Sequence, residues 1–217
     1  MAIALATNKK ASLCYKKAVS IVDEALICPN EARAENLFNR ALRLALKCCR
    51  SDGTNAEYKY LAGYIYYGKP NKTDDSWRLA ESFLKEALAV NSTHPFAHYY
   101  LGCLYFDRKR YSNALDVLND LDDNYFIAMD QRWRTAKTME LRLCCKLYLS
   151  AAGSPVDEAK ALYQFHRSFE DPLLAPVPKE LGDCLNYIER TRALDDRALV
   201  KMRRYFERIV EITEYEI

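Results

Sequence analysis

Histidine and cysteine are the residues of this chain best suited to bind a metal ion or to act as a catalytic base or nucleophile. His94 and His98 lie four residues apart, with Cys103 five residues further on, and such a group could supply ligands for zinc. However, His98 falls in a packing position of an apolar segment, and His94 precedes Pro95 in a loop. His166 has no cysteine or serine partner at a motif spacing. We therefore expect no metal ion, no cofactor and no catalytic residue.

The other motifs that carry chemistry are missing as well. The sequence contains neither G-x-G-x-x-G nor G-x-x-x-x-G-K-[ST], so a nucleotide-phosphate loop is not predicted. A group of aspartates lacks the spacing and the central glycine of an EF-hand, and we expect it to form a solvated loop. The group comprises Asp116, Asp120, Asp122, Asp123 and Asp130. The sequence gives no support to an enzyme.

Composition limits the environment and the partners of the chain. Its 217 residues include eight cysteines but no C-x-x-C pair, and no secretory signal is apparent at the start. This pattern favours a reducing, cytoplasmic location in which most cysteines act as small buried apolar residues. The net charge is only +2, so the whole-chain charge predicts no strong attraction to nucleic acid or acidic lipid. No apolar run is long enough to span a membrane.

Helical periodicity dominates the sequence. Apolar residues recur at i, i+3, i+4 and i+7, while alternation with the period of a strand is absent. We therefore predict an all-α protein of about ten mostly short helices. The predicted segments are 9–28, 32–50, 55–67, 75–90, 95–107, 111–121, 125–150, 155–169, 178–193 and 196–213.

A spaced pattern of small and large apolar residues recurs in pairs of these helices. Small residues such as Gly102 and Ala114 would let two antiparallel helices approach closely. The clearest copy contains His98, Leu101, Gly102 and Tyr105, followed by Tyr111, Ala114 and Leu118. An earlier copy contains Tyr58, Leu61, Ala62 and Ile65, followed by Trp77, Ala80, Leu84 and Ala87. A weaker copy lies at 15–45.

This pattern resembles the tetratricopeptide repeat (TPR) family. The resemblance implies a right-handed α-α superhelix of antiparallel helix pairs, with C-terminal helices capping the stack. We expect one domain over 1–217, with repeats at about 14–50, 55–90 and 95–121, divergent helices at 125–170 and capping helices at 178–213. The loop after Gly68 is longer than the turn of the family. Beyond 121 the match is poor, because Lys137 and Glu140 fall where apolar residues belong.

In TPR proteins the first helix of each repeat lines the concave groove, so the resemblance implies a protein-binding adaptor or scaffold without enzymatic activity. The middle of this predicted groove is aromatic, with the small residues Gly63 and Cys103 as its floor. The predicted groove residues are Lys59, Tyr66, Phe96, Tyr99, Cys103 and Phe106. An aromatic stripe at helical spacing can instead be core, so the groove is either a partner surface or covered from within.

The inner positions also limit the type of ligand. Chaperone-tail binders of this family hold a terminal carboxylate with Lys, Asn and Arg side chains. Here only Lys59, and less clearly Lys16, is basic among the inner positions, and none is Asn. We therefore expect a hydrophobic or aromatic-compatible protein segment as partner rather than a carboxylate tail.

Two alternatives involve the C-terminal helices. A basic patch of Arg197, Lys201, Arg203 and Arg204 could meet nucleic-acid phosphates, which makes a nucleic-acid-associated helical-repeat protein the alternative function. The last helix also carries an apolar stripe that could form a homo-oligomer, although packing on the preceding helix is expected. The stripe comprises Leu199, Met202, Phe206, Ile209 and Val210.

Overall fold

Every regular element in the described part of the chain is a helix. The computed structural model describes residues 2–150, 154–171, 174–191 and 194–214, and side chains over 11–150, 154–171, 174–191 and 194–213. The positions 151–153 among the predicted divergent helices, 172–173, and 192–193 at the end of a predicted capping helix lie outside the described residues. The chain divides into two compact units, Met1–Leu104 and Tyr105–Ile217. The prediction of an all-α fold is confirmed.

Eleven helices are present in these described ranges. The first unit contains α1 (Ala2–Leu26), α2 (Glu31–Ser51), α3 (Ala56–Gly68), α4 (Asp74–Val90) and most of α5 (Pro95–Asp107). The second contains α6 (Tyr111–Asn119), α7 (Asp123–Ala128), α8 (Arg132–Tyr148), α9 (Pro155–His166), α10 (Lys179–Thr191) and α11 (Asp196–Glu214).

Side-chain caps determine where several of these helices begin. Asn30 accepts a hydrogen bond from the Arg33 N–H, and Asn55 accepts from the Glu57 N–H, at the starts of α2 and α3. Such caps satisfy backbone donors that have no partner within the helix. The predicted start at Ser154 and Pro155 is confirmed, since Ser154 caps α9 and the proline occupies its first turn.

Small side chains allow close packing in the first unit. The pairs α1/α2 and α3/α4 pack along their lengths, and α2 also packs on α3. Ala18, Ala41, Ala62 and Ala80 are fully buried. Because the connecting loops are short, consecutive packed helices run antiparallel. This arrangement is the one that the repeat pattern implies.

Helix α8 forms the centre of the second unit. It contacts α6, α7, α9 and α10, while α11 packs on α9 and α10. The apolar core combines Leu143, Leu162, Leu185 and Met202 from α8, α9, α10 and α11. The apolar stripe of α11 is packed into this core, as Leu199, Met202 and Ile209 are buried.

The prediction of a single helix over 125–150 was wrong, because this range contains the end of α7 and the whole of α8. Asp130 adopts a left-handed conformation with φ of 56°, and the Gln131 N–H donates to the Phe126 carbonyl at 2.7 Å. This hydrogen-bonding pattern ends a helix, and glycine usually supplies its left-handed residue. An aspartate at that position gives no comparable sequence signal.

Candidate protein-interaction surface

Two of the predicted groove residues, Lys59 and Tyr66, contact helix α4, the second helix of their own pair. The Lys59 ammonium lies 2.7 Å from Glu86 Oε2, and the lysine side chain is only 14% exposed. The Tyr66 ring stacks on Phe83, with centroids 5.9 Å apart and planes 14° apart. Gly63, predicted as groove floor, lies instead at the α3–α4 contact, where an added Cβ would come within 2.8 Å of Leu84 Cγ.

The predicted groove residues of helix α5 differ in accessibility. Tyr99 is 4% exposed and Cys103 is 8% exposed, whereas Phe96 is half-buried. Phe106 belongs to the second unit, where its ring lies 5.5 Å from that of Tyr111 and packs beside the core of that unit. Of the predicted aromatic side chains on the part of α5 that belongs to the first unit, Phe96 is therefore more accessible than Tyr99.

A different set of aromatic side chains is in mutual contact between α3 and α5. The ring of Tyr60 lies 5.7 Å from Phe96 and 6.1 Å from Tyr100, and Tyr64 approaches Tyr100 to 4.5 Å. Tyr67 extends the contact at 5.9 Å from Tyr100. We call Tyr60, Tyr64, Tyr67, Phe96 and Tyr100 the α3/α5 aromatic face. All except the buried Tyr100 are half-buried, so each combines packing with solvent access.

Lys72, in the long loop between α3 and α4, places a positive charge at one edge of this face. The Lys72 ammonium lies 5.2 Å from the ring centroids of both Tyr67 and Trp77, within the range of a cation–π interaction. Tyr67 and Trp77 meet edge to face at 5.8 Å. The loop that departs from the TPR turn thus brings a positive charge to the edge of the aromatic face.

A polar group lies at the opposite edge. The Ala97 N–H donates to Nδ1 of His94 at the start of α5, so Nε2 is the ring nitrogen that carries a hydrogen. Nε2 lies 3.2 Å from Glu57 Oε1, in a direction poor for a hydrogen bond. The Tyr15 hydroxyl donates to Glu57 Oε2. The pKa of Glu57 is lowered, and the contact with His94 is the largest cause. The hydrogen bond from Tyr15 also lowers this pKa, whereas burial raises it.

Sequence reasoning missed Tyr60, Tyr64, Tyr67 and Tyr100 because it assigned inner positions from the repeat pattern. A signal for them was available. Tyr60, Tyr64 and Tyr67 have i, i+4, i+7 spacing on α3, and Phe96 and Tyr100 have i, i+4 spacing on α5. Such spacing places side chains on one face of a helix.

The predicted basic patch is divided between two sides of α11. Arg197, Lys201 and Arg204 are exposed. Arg203 instead turns toward α10, where it donates to Glu189 Oε2 at 2.5 Å and to Asn186 Oδ1 at 3.1 Å. Arg203 therefore has a structural partner of its own, while the other three cations face solvent.

The histidines have local structural contacts. His98 is buried and its Nε2 lies 2.8 Å from the Ser92 carbonyl oxygen. Both ring nitrogens of the buried His166 lie close to carbonyl oxygens, those of Leu162 and Pro176. Within the described ranges, no three His, Cys, Asp or Glu side chains are grouped to hold a metal ion. No helix there has the length and apolar character needed to cross a membrane.

Comparison with known proteins identifies the fold. No protein-family model and no curated protein sequence matches the chain. Among solved structures, MamA is 17% identical with a TM-score of 0.56, covering 84% of this chain and 92% of its own. PilF of Pseudomonas aeruginosa is 16% identical with a TM-score of 0.55, covering 95% and 78%.

A third solved structure is YrrB, described as a TPR protein with an unusual peptide-binding site. It is 17% identical with a TM-score of 0.55, and the likeness covers 98% of this chain and 95% of YrrB. All of these structures are TPR-repeat proteins. At such low identity the likeness concerns the fold. It agrees with the repeat pattern and with the packed helix pairs, and the chain has the TPR-like helical-repeat fold.

Proposed function

We propose that this chain is a non-enzymatic adaptor that holds a segment of a partner protein on the α3/α5 aromatic face. The observation that carries the proposal is the contact of five aromatic side chains from two helices, four of them half-buried. Helical-repeat scaffolds are used for protein interaction, and the TPR neighbours support that role at the level of the family. The peptide-binding site described for YrrB supports a peptide as the class of ligand.

The chemistry of the face favours an apolar or aromatic segment. Tyrosine and phenylalanine offer a large contact area and lose little side-chain entropy on binding. The polar groups lie at the edges, with Lys72 at one end and Glu57 with His94 at the other. A segment with an apolar centre and polar flanks would match this distribution.

Only part of the groove predicted from the sequence belongs to the proposed α3/α5 aromatic face. Phe96 is common to both surfaces, and Lys59 and Tyr66 lie on the neighbouring α3 positions beside α4. Tyr99 and Cys103 are buried, and the ring of Tyr99 packs edge to face on Tyr100. Phe106 lies in the second unit and is not part of the proposed surface.

A reducing, cytoplasmic location is part of the same proposal. All eight cysteines lie in the described ranges, where none forms a disulfide bond, and five of them are buried. Burial raises the pKa of Cys48 to about 11 and of Cys145 to about 12, which keeps these thiols protonated and unreactive. Thiols of this kind pack as small apolar side chains rather than as nucleophiles.

The test is selection of binding peptides from a random peptide display library, followed by measurement of their affinity. Fluorescence anisotropy would compare the wild type with a Tyr60→Ala/Phe96→Ala variant. We expect the variant to bind the selected peptides at least about tenfold more weakly, as for two interface aromatics. A matched control, Trp133→Ala/Tyr187→Ala, removes two exposed aromatics of the second unit.

Circular dichroism would establish that both variants are folded. Equal affinity of the folded Tyr60→Ala/Phe96→Ala variant and the wild type would reject the proposed face. Loss of binding in the control variant alone would move the interaction surface to the second unit. Turnover of a bound peptide would reject the non-enzymatic part of the proposal.

A further inference from the structure

Helix α11 carries a row of cations along one face. Arg197, Lys201, Arg204 and Arg208 are separated by four, three and four residues, a spacing that keeps side chains on one side of a helix. All four are exposed. The row spans about 17 Å at the rise of an α-helix. Arg208 was not among the residues of the predicted basic patch.

Helix α9 and the residue that caps its C-terminus add a second set of cations beside this row. Lys160 and Arg167 are exposed, and they flank the half-buried Tyr163 at spacings of three and four residues. The guanidinium groups of Arg167 and Arg208 both lie over the Tyr163 ring, each with its central carbon 5.9 Å from the centroid. This shared ring joins the two sets of cations. We call these six cations with Tyr163 the α9/α11 basic seam.

The cations of the seam have no ion-pair partner among the described residues. None of the six is within ion-pair distance of a carboxylate there. Exposed carboxylates lie close to them in sequence, namely Asp157, Glu170, Asp195, Asp196, Glu207 and Glu211. Other basic residues of the same unit do have partners, such as Lys146 with Glu158 and Arg142 with Asp123. Six cations without an ion-pair partner in the described ranges thus concentrate positive charge on two adjacent helices of a chain with little net charge.

We infer that the α9/α11 basic seam binds an acidic segment of a partner protein. The row repeats at the spacing of helical turns, so an acidic helix laid along α11 could place a carboxylate opposite each cation. Arginine donates through a planar fork that matches a carboxylate, and such charge-assisted hydrogen bonds are stronger than neutral ones. The seam belongs to the second unit alone and uses no residue of the α3/α5 aromatic face.

The geometry favours an acidic protein segment over nucleic acid. Proteins that hold single strands combine cations with aromatic rings on which bases stack. In this seam two guanidinium groups already lie over Tyr163, and the next aromatic, Tyr205, packs against Tyr163 at 5.7 Å. The seam thus offers charge without a stacking platform.

The experiment measures binding of a fluorescein-labelled peptide of about five helical turns, with glutamates at i, i+4 and i+7 spacing and alanine and leucine elsewhere. Anisotropy would be recorded with the full chain at about 50 and 200 mM salt, since screening weakens such contacts. We expect Lys201→Glu/Arg204→Glu/Arg208→Glu to weaken binding at least tenfold or so. The neutral variant Lys201→Gln/Arg204→Gln should weaken it by a smaller factor.

A matched control is available on helix α2. Arg43, Lys47 and Arg50 are exposed and are separated by four and three residues, the same two intervals in reverse order. Their reversal to glutamate changes the net charge by the same amount and should change the affinity less than about twofold if the seam is specific. An equal loss in both triple variants would overturn the inference in favour of general charge attraction.

Two other results would also overturn it. The first is absence of peptide binding to the wild type at the lower salt concentration. The second is that the wild type binds a uridine oligonucleotide but not the acidic peptide, and that Lys201→Glu/Arg204→Glu/Arg208→Glu loses the oligonucleotide. That result would assign the seam to nucleic acid. Because the aromatic face is a separate surface, Tyr60→Ala/Phe96→Ala should leave binding of the acidic peptide unchanged.

Discussion

The carboxylate of Glu140 on α8 accepts a hydrogen bond of 2.9 Å from the backbone N–H of Leu181 in the first turn of α10. This contact satisfies a donor that has no partner within α10, and it places a negative charge at the positive end of that helix. Glu140 is only 1% exposed, and its second oxygen lies 2.9 Å from the Lys137 ammonium. Lys137 is also paired with Glu180.

This buried carboxylate should make stability depend on pH. Burial raises the pKa of Glu140 to about 7, although Lys137 acts in the opposite direction. Since the unfolded value is about 4.3, the folded state binds more protons between these values, and its stability falls as pH rises through them. We expect the free energy of unfolding to decrease by about 1–3 kcal/mol from pH 4.5 to 7.5 because of this group.

Urea denaturation across this pH range would measure the effect. Glu140→Gln keeps an oxygen that can accept from Leu181 and cannot ionise, so its stability should vary less with pH. Glu158→Gln is the control. Glu158 of α9 pairs with Lys146 of α8, the helix that carries Glu140, but the Glu158 side chain is about one-third exposed. Identical pH profiles for Glu140→Gln and the wild type would contradict the assignment of the slope to Glu140.

Arg142 joins three helices of the second unit, and its loss should be costly. Its guanidinium donates to the carbonyl oxygens of Leu118 at the end of α6 and of Leu121 in the loop that follows. It also donates to the Asp123 carboxylate at the start of α7. The side chain is 15% exposed. Arg142→Ala leaves these acceptors without their donor, and we expect the free energy of unfolding to fall by about 2–4 kcal/mol.

Arg78→Ala provides the comparison, because Arg78 and its partner Asp75 are both more than two-thirds exposed. A surface pair of this kind contributes little, so a change within about 0.5 kcal/mol is expected. Equal stability loss in the two variants, measured by urea denaturation, would show that Arg142 does not hold the three helices together.

Helical periodicity was sufficient to predict the class of the fold and the limits of most helices, because an apolar face recurs with the helical period. Repeat matching failed beyond 121 for a physical reason that Lys137 and Glu140 illustrate. Both occupy positions expected to be apolar. Glu140 is nevertheless buried, because it pairs with the part-buried Lys137 and accepts the hydrogen bond from Leu181 at the start of α10. The second of these partners, Leu181 of α10, is distant in sequence, and no local pattern reveals it.

The candidate surface was predicted less well than the fold. The repeat pattern identified helix α3 as one that lines a surface, but it could not establish which side of the helix meets α4. Lys59 and Tyr66 contact side chains of α4. Tyr60 and Tyr64, a few residues away, instead contact aromatic rings of α5. That difference depends on the helix packing geometry, which is a tertiary property.

Gly63 tests this packing directly. An added Cβ would lie 2.8 Å from Leu84 Cγ and 3.1 Å from the Leu84 backbone nitrogen, so α3 and α4 would have to separate. We expect Gly63→Ala to lower the free energy of unfolding by about 1–3 kcal/mol, despite the better helix propensity of alanine. At Gly53 an added Cβ meets only the Cys49 carbonyl oxygen at 3.8 Å. Gly53→Ala should therefore be nearly neutral, and an equal loss at both positions in thermal denaturation would contradict the close α3–α4 contact.

Tyr99 and Phe96, three residues apart on α5, should separate the contributions of core and surface within the predicted groove. Tyr99 is 4% exposed, so Tyr99→Ala removes a buried ring and should destabilise the fold by about 3–5 kcal/mol. Phe96 is half-buried on the aromatic face, and Phe96→Ala should cost less than half as much stability while weakening binding of a selected peptide. Denaturation and anisotropy on the same two variants would measure both quantities. If Tyr99→Ala kept full stability and lost peptide affinity, Tyr99 would be a contact residue of the groove, as the repeat pattern first indicated, and the binding surface would have to be placed on that side of α5.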